Sequence, residues 1–249
     1  MASIVLVHGA WQSAHCWDLV RGLLEDRGHE VITPTLQGLG EDAVNLSERT
    51  TLTQHIDDVC KAMISKGAWD VVLVGHSYAG MIVTGVAERM PDRLAKIVFE
   101  DAFLPEDRDS VLDLLPPSLV EGFRQTAAKS VEGYRLPAFE GQLDWWGLEK
   151  GSSARAFTAK HQSDFSIRCF EEALELPYMG RQQIECSFIG GAADTYPLRG
   201  VFGRFAEKAR LLGWEVSELP TGHAPHVEMP RDFVDIVTRG VPPSEHLLR

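Results

Sequence analysis

The stretch from Val71 to Gly80 constrains the fold of this chain more than any other. Its first four residues, Val-Val-Leu-Val, form a short apolar run that is typical of a buried parallel strand. A turn of small residues follows, and residues 81–90 have the pattern of a helix. Such a junction places one residue on a sharp bend, with its side chain above the edge of the sheet. In this chain that residue is Ser77.

The residues around Ser77 suit a nucleophile. Gly75 and Ala79 flank it at two residues' distance, and small residues are needed there because strand and helix approach closely. The bend exposes the Ser77 hydroxyl and directs the backbone N–H of Tyr78, at a helix N-terminus, towards the anion that an attack would create. The pattern G-x-S-x-G is the signature of a nucleophile elbow, and Ala79 replaces its second glycine. The alternative is a strand followed by a loop that happens to contain a serine.

Strand and helix patterns alternate along most of the chain. This alternation predicts a mainly parallel six-stranded sheet with helices on both faces, and 249 residues suit one α/β domain. The predicted strands are 4–7, 30–34, 71–74, 94–101, 184–189 and 215–219. The predicted helices are 18–27, 51–64, 81–90, 198–211 and 231–239, and a polar tail follows from residue 241. Thr51 or Thr53 is the expected cap of the second helix.

The alternation fails between Leu104 and about Gln183, where no strand pattern occurs. Prolines, short helical pieces and aromatic residues fill this region. It therefore predicts a helical cap, residues 104–183, inserted into a core formed by residues 1–103 and 184–249. Aromatic side chains of the cap would line an apolar pocket, since small-molecule sites are mostly apolar. Trp145 and Trp146, with Trp11 of the core, are the candidate substrate-binding residues; alternatively, the cap tryptophans hold the cap's own core.

The composition excludes several classes of partner. A formal net charge of −12 argues against nucleic acid and anionic membranes, which bind clustered Lys and Arg. No apolar run is long enough to span a bilayer, and the first residues read as a strand rather than a signal peptide, so we expect a cytoplasmic protein. The four cysteines lack C-x-x-C spacing and are expected to be free, buried thiols rather than zinc ligands or disulfides.

A nucleophilic serine needs a base and an acid that orients the base. Asp194 follows one late predicted strand and His223 follows the last, so the order Ser, Asp, His is present. Asp101 also ends a strand and is an alternative acid, and His226 is an alternative base; we favour Asp194 and His223.

The first predicted strand ends in His-Gly-Ala-Trp, at residues 8–11. The backbone N–H of Ala10, or failing that of Trp11, is the candidate second donor to the oxyanion. His8 is expected to have a structural role.

Four segments resemble the α/β-hydrolase superfamily: residues 7–11, 75–80, the turn at Asp194, and residues 222–230. Within it the chain is similar to the compact branch of methyl-salicylate-type esterases, hydroxynitrile lyases and bacterial esterases. The resemblance implies a carboxylic ester hydrolase with Ser77 as nucleophile, His223 as base, Asp194 as orienting acid, and the N–H groups of Ala10 and Tyr78 as oxyanion hole. It implies no metal or organic cofactor, and dimers are frequent in that branch.

The leading hypothesis is thus an esterase that cleaves small to medium, apolar or aromatic esters. A lactone or a thioester would react by the same chemistry. The plant hydroxynitrile lyases carry a lysine directly after the catalytic histidine, and Ala224 at that position argues against a lyase. A cofactor-free dioxygenase and a catalytically idle ligand receptor are further alternatives.

Overall fold

The computed structural model of this protein describes residues 3–241. Its strands are β1 (Ser3–Val7), β2 (Glu30–Ile32), β3 (Val71–His76), β4 (Leu94–Glu100), β5 (Arg135–Leu136), β6 (Phe165–Ser166), β7 (Glu185–Gly191) and β8 (Glu215–Leu219). Its α-helices are α1 (Asp18–Glu25), α2 (Leu52–Ser65), α3 (Ala79–Arg89), α4 (Pro117–Lys129), α5 (Gly141–Trp145), α6 (Ser153–Lys160), α7 (Arg168–Glu171), α8 (Arg199–Leu211), α9 (Pro225–Glu228) and α10 (Pro230–Val237). Short 3₁₀ turns join several of them.

Six strands form one parallel sheet in the order β2-β1-β3-β4-β7-β8. This confirms the predicted fold class. The central strands are apolar on both sides because helices cover both faces of the sheet. In β3, Val71 and Leu73 pack into one hydrophobic cluster, whereas Val72 and Val74 pack into the other. The alternation follows from the two-residue period of a strand.

The parallel arrangement determines where the functional residues meet. All six strands end at the same edge of the sheet, so the loops that follow β1, β3, β4 and β8 converge there. β3 lies between β1 and β4, and β4 lies between β3 and β7. The residues after β3 and β4 are therefore direct neighbours, although more than twenty residues separate them in sequence.

The helix predicted at residues 51–64 forms where its capping residue and the spacing of its apolar residues indicate. Thr51 caps α2, its side chain accepting a hydrogen bond from the backbone N–H of Gln54. Ile56, Val59 and Met63 are buried at helical spacing, as predicted. The remaining predicted helices of the core differ from the observed ones by at most two residues at either end.

The region between β4 and β7 is mainly helical and contains α4 to α7. The expectation that it holds no strand is wrong in one detail, because β5 and β6 form a short antiparallel ribbon with Arg135 opposite Ser166. Each of these strands has two residues, which is too short to show a two-residue period. Phe123, Phe165 and Phe170 of this region pack around Trp11.

The four cysteines are free and buried, as predicted. Within residues 3–241, none of the helices has the length and apolar character needed to cross a membrane. The predicted polar tail lies, apart from Val241 itself, outside the described residues.

Candidate active site

Ser77 lies directly after β3 and has the left-handed backbone conformation of a sharp elbow, with φ of 57°. Its N–H donates to the carbonyl of Glu100 at 3.0 Å, and its carbonyl accepts from the N–H of Phe103 at 3.1 Å. Such a conformation is rare for a residue other than glycine and persists where its surroundings hold it. The segment that follows β4 thus fixes the elbow.

Close packing explains the small residues of the elbow. A Cβ at Gly75 would lie 2.7 Å from a methyl carbon of Val83 and 2.8 Å from the carbonyl oxygen of Ala79. A Cβ at Gly80 would lie only 2.0 Å from the carbonyl oxygen of Phe103. Ala79 itself is fully buried at the start of α3, so its methyl group fits there. Gly80 is the stricter requirement, and the sequence analysis did not single it out.

His223 lies beyond β8 and contacts Ser77. Its Nε2 is 2.8 Å from the Ser77 Oγ. The backbone of the histidine is held on both sides: its N–H donates to the carbonyl of Trp146 at 2.8 Å, and its carbonyl accepts from Nε2 of His76 at 2.7 Å. A Cβ at the preceding Gly222 would lie 2.1 Å from the Trp146 carbonyl oxygen. Glycine is therefore needed there for the Trp146 backbone to reach this loop.

Asp101 provides the carboxylate behind His223. Its Oδ2 is 2.6 Å from Nδ1 of the imidazole and also accepts from the Tyr196 hydroxyl. Its Oδ1 accepts from the N–H of Gly191 at 3.2 Å. Asp101 has φ of 39°, so the chain bends as β4 ends and the buried side chain faces the histidine.

The structure does not bring Asp194 to His223, and this corrects the expectation that Asp194 is the orienting acid. The Asp194 side chain is fully exposed and pairs with Arg199 at 3.0 Å. After β7, the N–H of Ala192 donates to Leu219 at the end of β8 and that of Ala193 donates to Thr221 just beyond it, and the chain then turns. The turn directs Tyr196, two residues further on, into the site in place of Asp194.

Two adjacent acidic residues, the last of β4 and the one that follows it, both hold the loop that comes after β8. While Asp101 contacts His223, Glu100 Oε1 accepts from the backbone N–H of His226 at 2.9 Å and from its Nδ1 at 2.8 Å. Glu100 therefore holds His226, and within the described residues no hydrogen bond joins His226 to Ser77. The role of Glu100 was not predicted from the sequence, although two adjacent acidic residues at a strand end were a usable signal.

Burial determines the charge of these groups. It lowers the pKa of the His223 imidazole, which favours the neutral form that can accept a proton. Burial raises the pKa of Asp101, and the hydrogen bonds from Tyr196 and Gly191 oppose that rise by stabilising the carboxylate. Burial also raises the pKa of Glu100, to about 8.

The loop after β1 presents backbone donors to the same site. Within residues 3–241, the N–H groups of Ala10 and Tyr78 have no hydrogen-bond partner, and Ala10 lines the pocket beside Ser77. Trp11 holds the loop in place, because its indole N–H donates to the carbonyl of Leu136 and its carbonyl accepts from the N–H of Ser163.

His8 joins the same loop to its neighbours in the core. Its Nδ1 donates to the Gly9 carbonyl at 3.0 Å, and its Nε2 accepts from the Leu36 N–H at 3.2 Å. Both ring nitrogens are thus used within the protein, which agrees with a structural role.

An apolar pocket opens onto Ser77 and His223. Trp11, Trp145 and Trp146, the predicted substrate-binding residues, all line it. The other lining residues are Ala10, Phe103, Leu115, Leu119, Phe123, Gln142, Phe170, Leu198, Val201 and Phe202. Among the described residues that line it, none carries a full charge in its ordinary state, so the pocket suits an uncharged molecule.

Known proteins are similar to this chain along most of its length. A model of the alpha/beta hydrolase family matches residues 4–236. The chain belongs to that family. A carbendazim hydrolyzing esterase from Nocardioides sp. (strain SG-4G) is 34% identical over 245 residues, which cover 94% of this chain and 98% of the esterase.

More distant relatives share part of the chain or the fold. Methylesterase 8 from Arabidopsis thaliana is 34% identical over 123 residues, 49% of this α/β-hydrolase and 43% of the methylesterase. Among solved structures, an extracellular alpha/beta-hydrolase from a Paenibacillus species, described as homologous in structure and function to tobacco salicylic acid binding protein 2, superimposes with a TM-score of 0.83. It is 26% identical, and the match covers 96% of this chain and 98% of that one.

Proposed function

We propose that this α/β-hydrolase is a serine esterase that cleaves small to medium, uncharged esters through an acyl-enzyme. The observation that carries the proposal is the continuous line of hydrogen bonds from Ser77 through His223 to Asp101. It joins a nucleophile, a base and an orienting carboxylate in the arrangement that acyl transfer requires.

The first half of the reaction forms the acyl-enzyme. Ser77 Oγ attacks the ester carbonyl carbon while His223 Nε2 takes the hydroxyl proton. The carbonyl oxygen becomes an oxyanion and accepts hydrogen bonds from the N–H groups of Ala10 and Tyr78. The bond to the alcohol oxygen then breaks, and His223 returns the proton to the departing alcohol. Asp101 keeps the Nδ1–H tautomer in place and stabilises the imidazolium that forms between these steps.

The second half releases the acid. Water attacks the acyl carbon, His223 Nε2 takes a proton from it, and the bond to Ser77 Oγ breaks as the proton passes to that oxygen. The products are a carboxylic acid and a free serine, so the cycle needs no further reactant.

The relatives support the ester as the substrate class. The bacterial relative that matches almost the whole chain is named an esterase, and the plant relatives are named methylesterases. A lactone or a thioester would undergo the same steps. The plant hydroxynitrile lyases carry a lysine directly after the catalytic histidine. In this chain that position is Ala224, which is fully buried, and this argues against a lyase.

The roles of the two aspartates provide the decisive test. Asp101→Asn should lower kcat for a p-nitrophenyl ester by about 10³-fold or more, because the amide cannot hold the histidine in the required tautomer. Asp194→Asn is the matched control and should stay within about twofold of wild type, since its side chain is exposed and remote from the imidazole. An equal loss in both variants would contradict the assignment of Asp101.

The nucleophile is tested by covalent labelling. A fluorophosphonate should label the wild-type protein at Ser77 with one equivalent, and Ser77→Ala should not react. A folded wild-type protein that fails to label would overturn the esterase proposal and favour an idle scaffold.

A further inference from the structure

Among the described residues that line the pocket, Gln142 is the one with an amide side chain. It lies in α5 and is 1% exposed, so it has almost no contact with bulk water. Apart from Ser77 and His223, the rest of the lining is aliphatic or aromatic. A buried amide in such surroundings is unfavourable unless its polar atoms are hydrogen-bonded.

Only half of the amide is bonded within the protein. Gln162 Nε2 donates to the Gln142 Oε1 at 3.0 Å, and this contact fixes the orientation of the amide plane. The Gln142 Nε2 group then carries the two N–H donors, and within residues 3–241 it donates no hydrogen bond. The side chain therefore presents oriented, unpaired donors next to a pocket that contains the reactive serine.

We infer that Gln142 Nε2 donates a hydrogen bond to the substrate, and that the substrate is an uncharged aromatic ester with a second acceptor, such as a ring nitrogen or an ether oxygen, away from the scissile carbonyl. This inference rests on the proposed esterase function. Gln142 would be a specificity-determining residue, which selects among esters that fit the same apolar walls.

The chemistry of the pocket restricts the acceptor to an uncharged group. A carboxylate would lose its water on entering the pocket and find no cationic side chain among the described lining residues. A neutral acceptor loses much less hydration, and the amide donor replaces the lost hydrogen bond. An ester without an acceptor leaves the donor unpaired, so the site discriminates against it.

The aromatic character of the substrate follows from the walls. Trp11 and Phe123 stand with ring centroids 5.8 Å apart, and Phe123 and Phe170 with centroids 5.6 Å apart. Rings at these separations offer faces and edges against which a further aromatic ring packs favourably.

The test compares esters that differ by one ring atom. Phenyl acetate and methyl phenylacetate carry their ring on opposite sides of the ester bond, and each is paired with its isomeric pyridyl analogues. The kcat/KM of each substrate is measured for the wild type and for Gln142→Met, which keeps the size of the side chain and removes the donor. For each enzyme, the kcat/KM of the pyridyl ester is divided by that of the phenyl ester. Comparing this ratio between the variant and the wild type removes the difference in intrinsic reactivity between the two kinds of ester.

We expect Gln142→Met to lower kcat/KM for at least one pyridyl ester about tenfold or more relative to its phenyl counterpart, chiefly through KM. Gln162→Met, which releases the amide without removing it, should give a smaller loss on the same ester. This second variant keeps the inference testable if Gln142→Met folds poorly. Pyridyl-to-phenyl ratios that are unchanged in both variants would overturn the inference.

The phenyl esters also separate this inference from the proposed function. Hydrolysis of phenyl acetate by the wild type and not by Ser77→Ala supports the esterase, whatever the pyridyl esters show. If the wild type hydrolyses none of the esters, the esterase proposal fails and the role of Gln142 fails with it.

Discussion

At the scale of single residues, the elbow depends on a contact between two backbones. Gly80 lies in the first turn of α3, directly against the carbonyl of Phe103, and that segment also bonds to Ser77. The close contact between these two backbones positions Ser77, and it also leaves no room for a side chain at residue 80.

We predict that Gly80→Ala lowers the free energy of unfolding by about 3 kcal/mol and reduces esterase activity, because a methyl group at 2.0 Å from a carbonyl oxygen forces the two segments apart. Gly203→Ala, within α8, is the matched control. A Cβ there meets nothing within 4 Å, so alanine should stabilise the helix by about 0.5–1 kcal/mol. Chemical denaturation of both variants provides the measurement, and equal stabilities would contradict the prediction.

At the scale of elements, the end of β4 organises the site. Its last residue, Glu100, holds His226 and bonds through its backbone carbonyl to Ser77, and the next residue, Asp101, holds His223. One strand therefore fixes the elbow that follows β3 and the loop that follows β8. The loop is thus held at two of its residues, His223 and His226, which lie three apart in sequence.

We predict that Glu100→Gln is tolerated and Glu100→Leu is not. With its pKa raised to about 8, Glu100 is mostly protonated at neutral pH, and a neutral glutamine keeps the oxygen that accepts from His226. The expected loss of stability is about 1 kcal/mol for Glu100→Gln and about 3 kcal/mol for Glu100→Leu, which leaves the two buried His226 donors unpaired. Thermal unfolding at pH 7 measures the difference; similar losses in both variants would show that Glu100 acts as an anion instead.

At the scale of the whole molecule, burial of titratable groups limits the pH range of stability. Burial lowers the pKa of seven histidines, namely His8, His29, His55, His76, His161, His223 and His226. Below pH 6.5 the unfolded chain binds protons on these residues and the folded chain does not, so stability falls as the pH decreases. Glu100, Asp101 and Glu228 have raised pKa values and act in the opposite direction, since folding is favoured while they are protonated.

We predict a maximum of the thermal unfolding temperature near pH 7. Between pH 4.5 and 6.5 seven histidines outweigh three carboxyl groups, and each net proton changes the stability by about 1.4 kcal/mol per pH unit. Above about pH 7 the carboxyl groups dominate, and stability decreases until about pH 8, where Glu100 titrates. Unfolding followed between pH 5 and 8.5 tests this, and Glu100→Gln should flatten the alkaline side. A midpoint that rises steadily from pH 6.5 to pH 5 would contradict the prediction.

The sheet and its helices could be predicted because their signals are local. Periodicity located the six strands, and residues adjacent to a strand end, such as Ser77 and His223, could be named from that pattern alone. The acid that orients His223 could not be predicted from the sequence, because the choice between Asp101 and Asp194 depends on how the backbone bends after β4 and after β7. Gln142 was missed for a similar reason: its partner is twenty residues away, and its exposure to the pocket depends on tertiary packing.

The contact between Trp146 and the histidine loop has a consequence for how substrate arrives. The Trp146 carbonyl accepts from the His223 N–H and lies against Gly222, so the tryptophan segment cannot lift away without disturbing the base. We therefore expect substrate to reach the pocket by another route. The neighbouring groove beside α4, lined by Gly122, Thr126 and Pro137, is bounded in part by Trp11 and Trp145, which also line the pocket. We therefore expect a bulky ester to enter along α4, while the Trp146 segment next to the imidazole keeps its position.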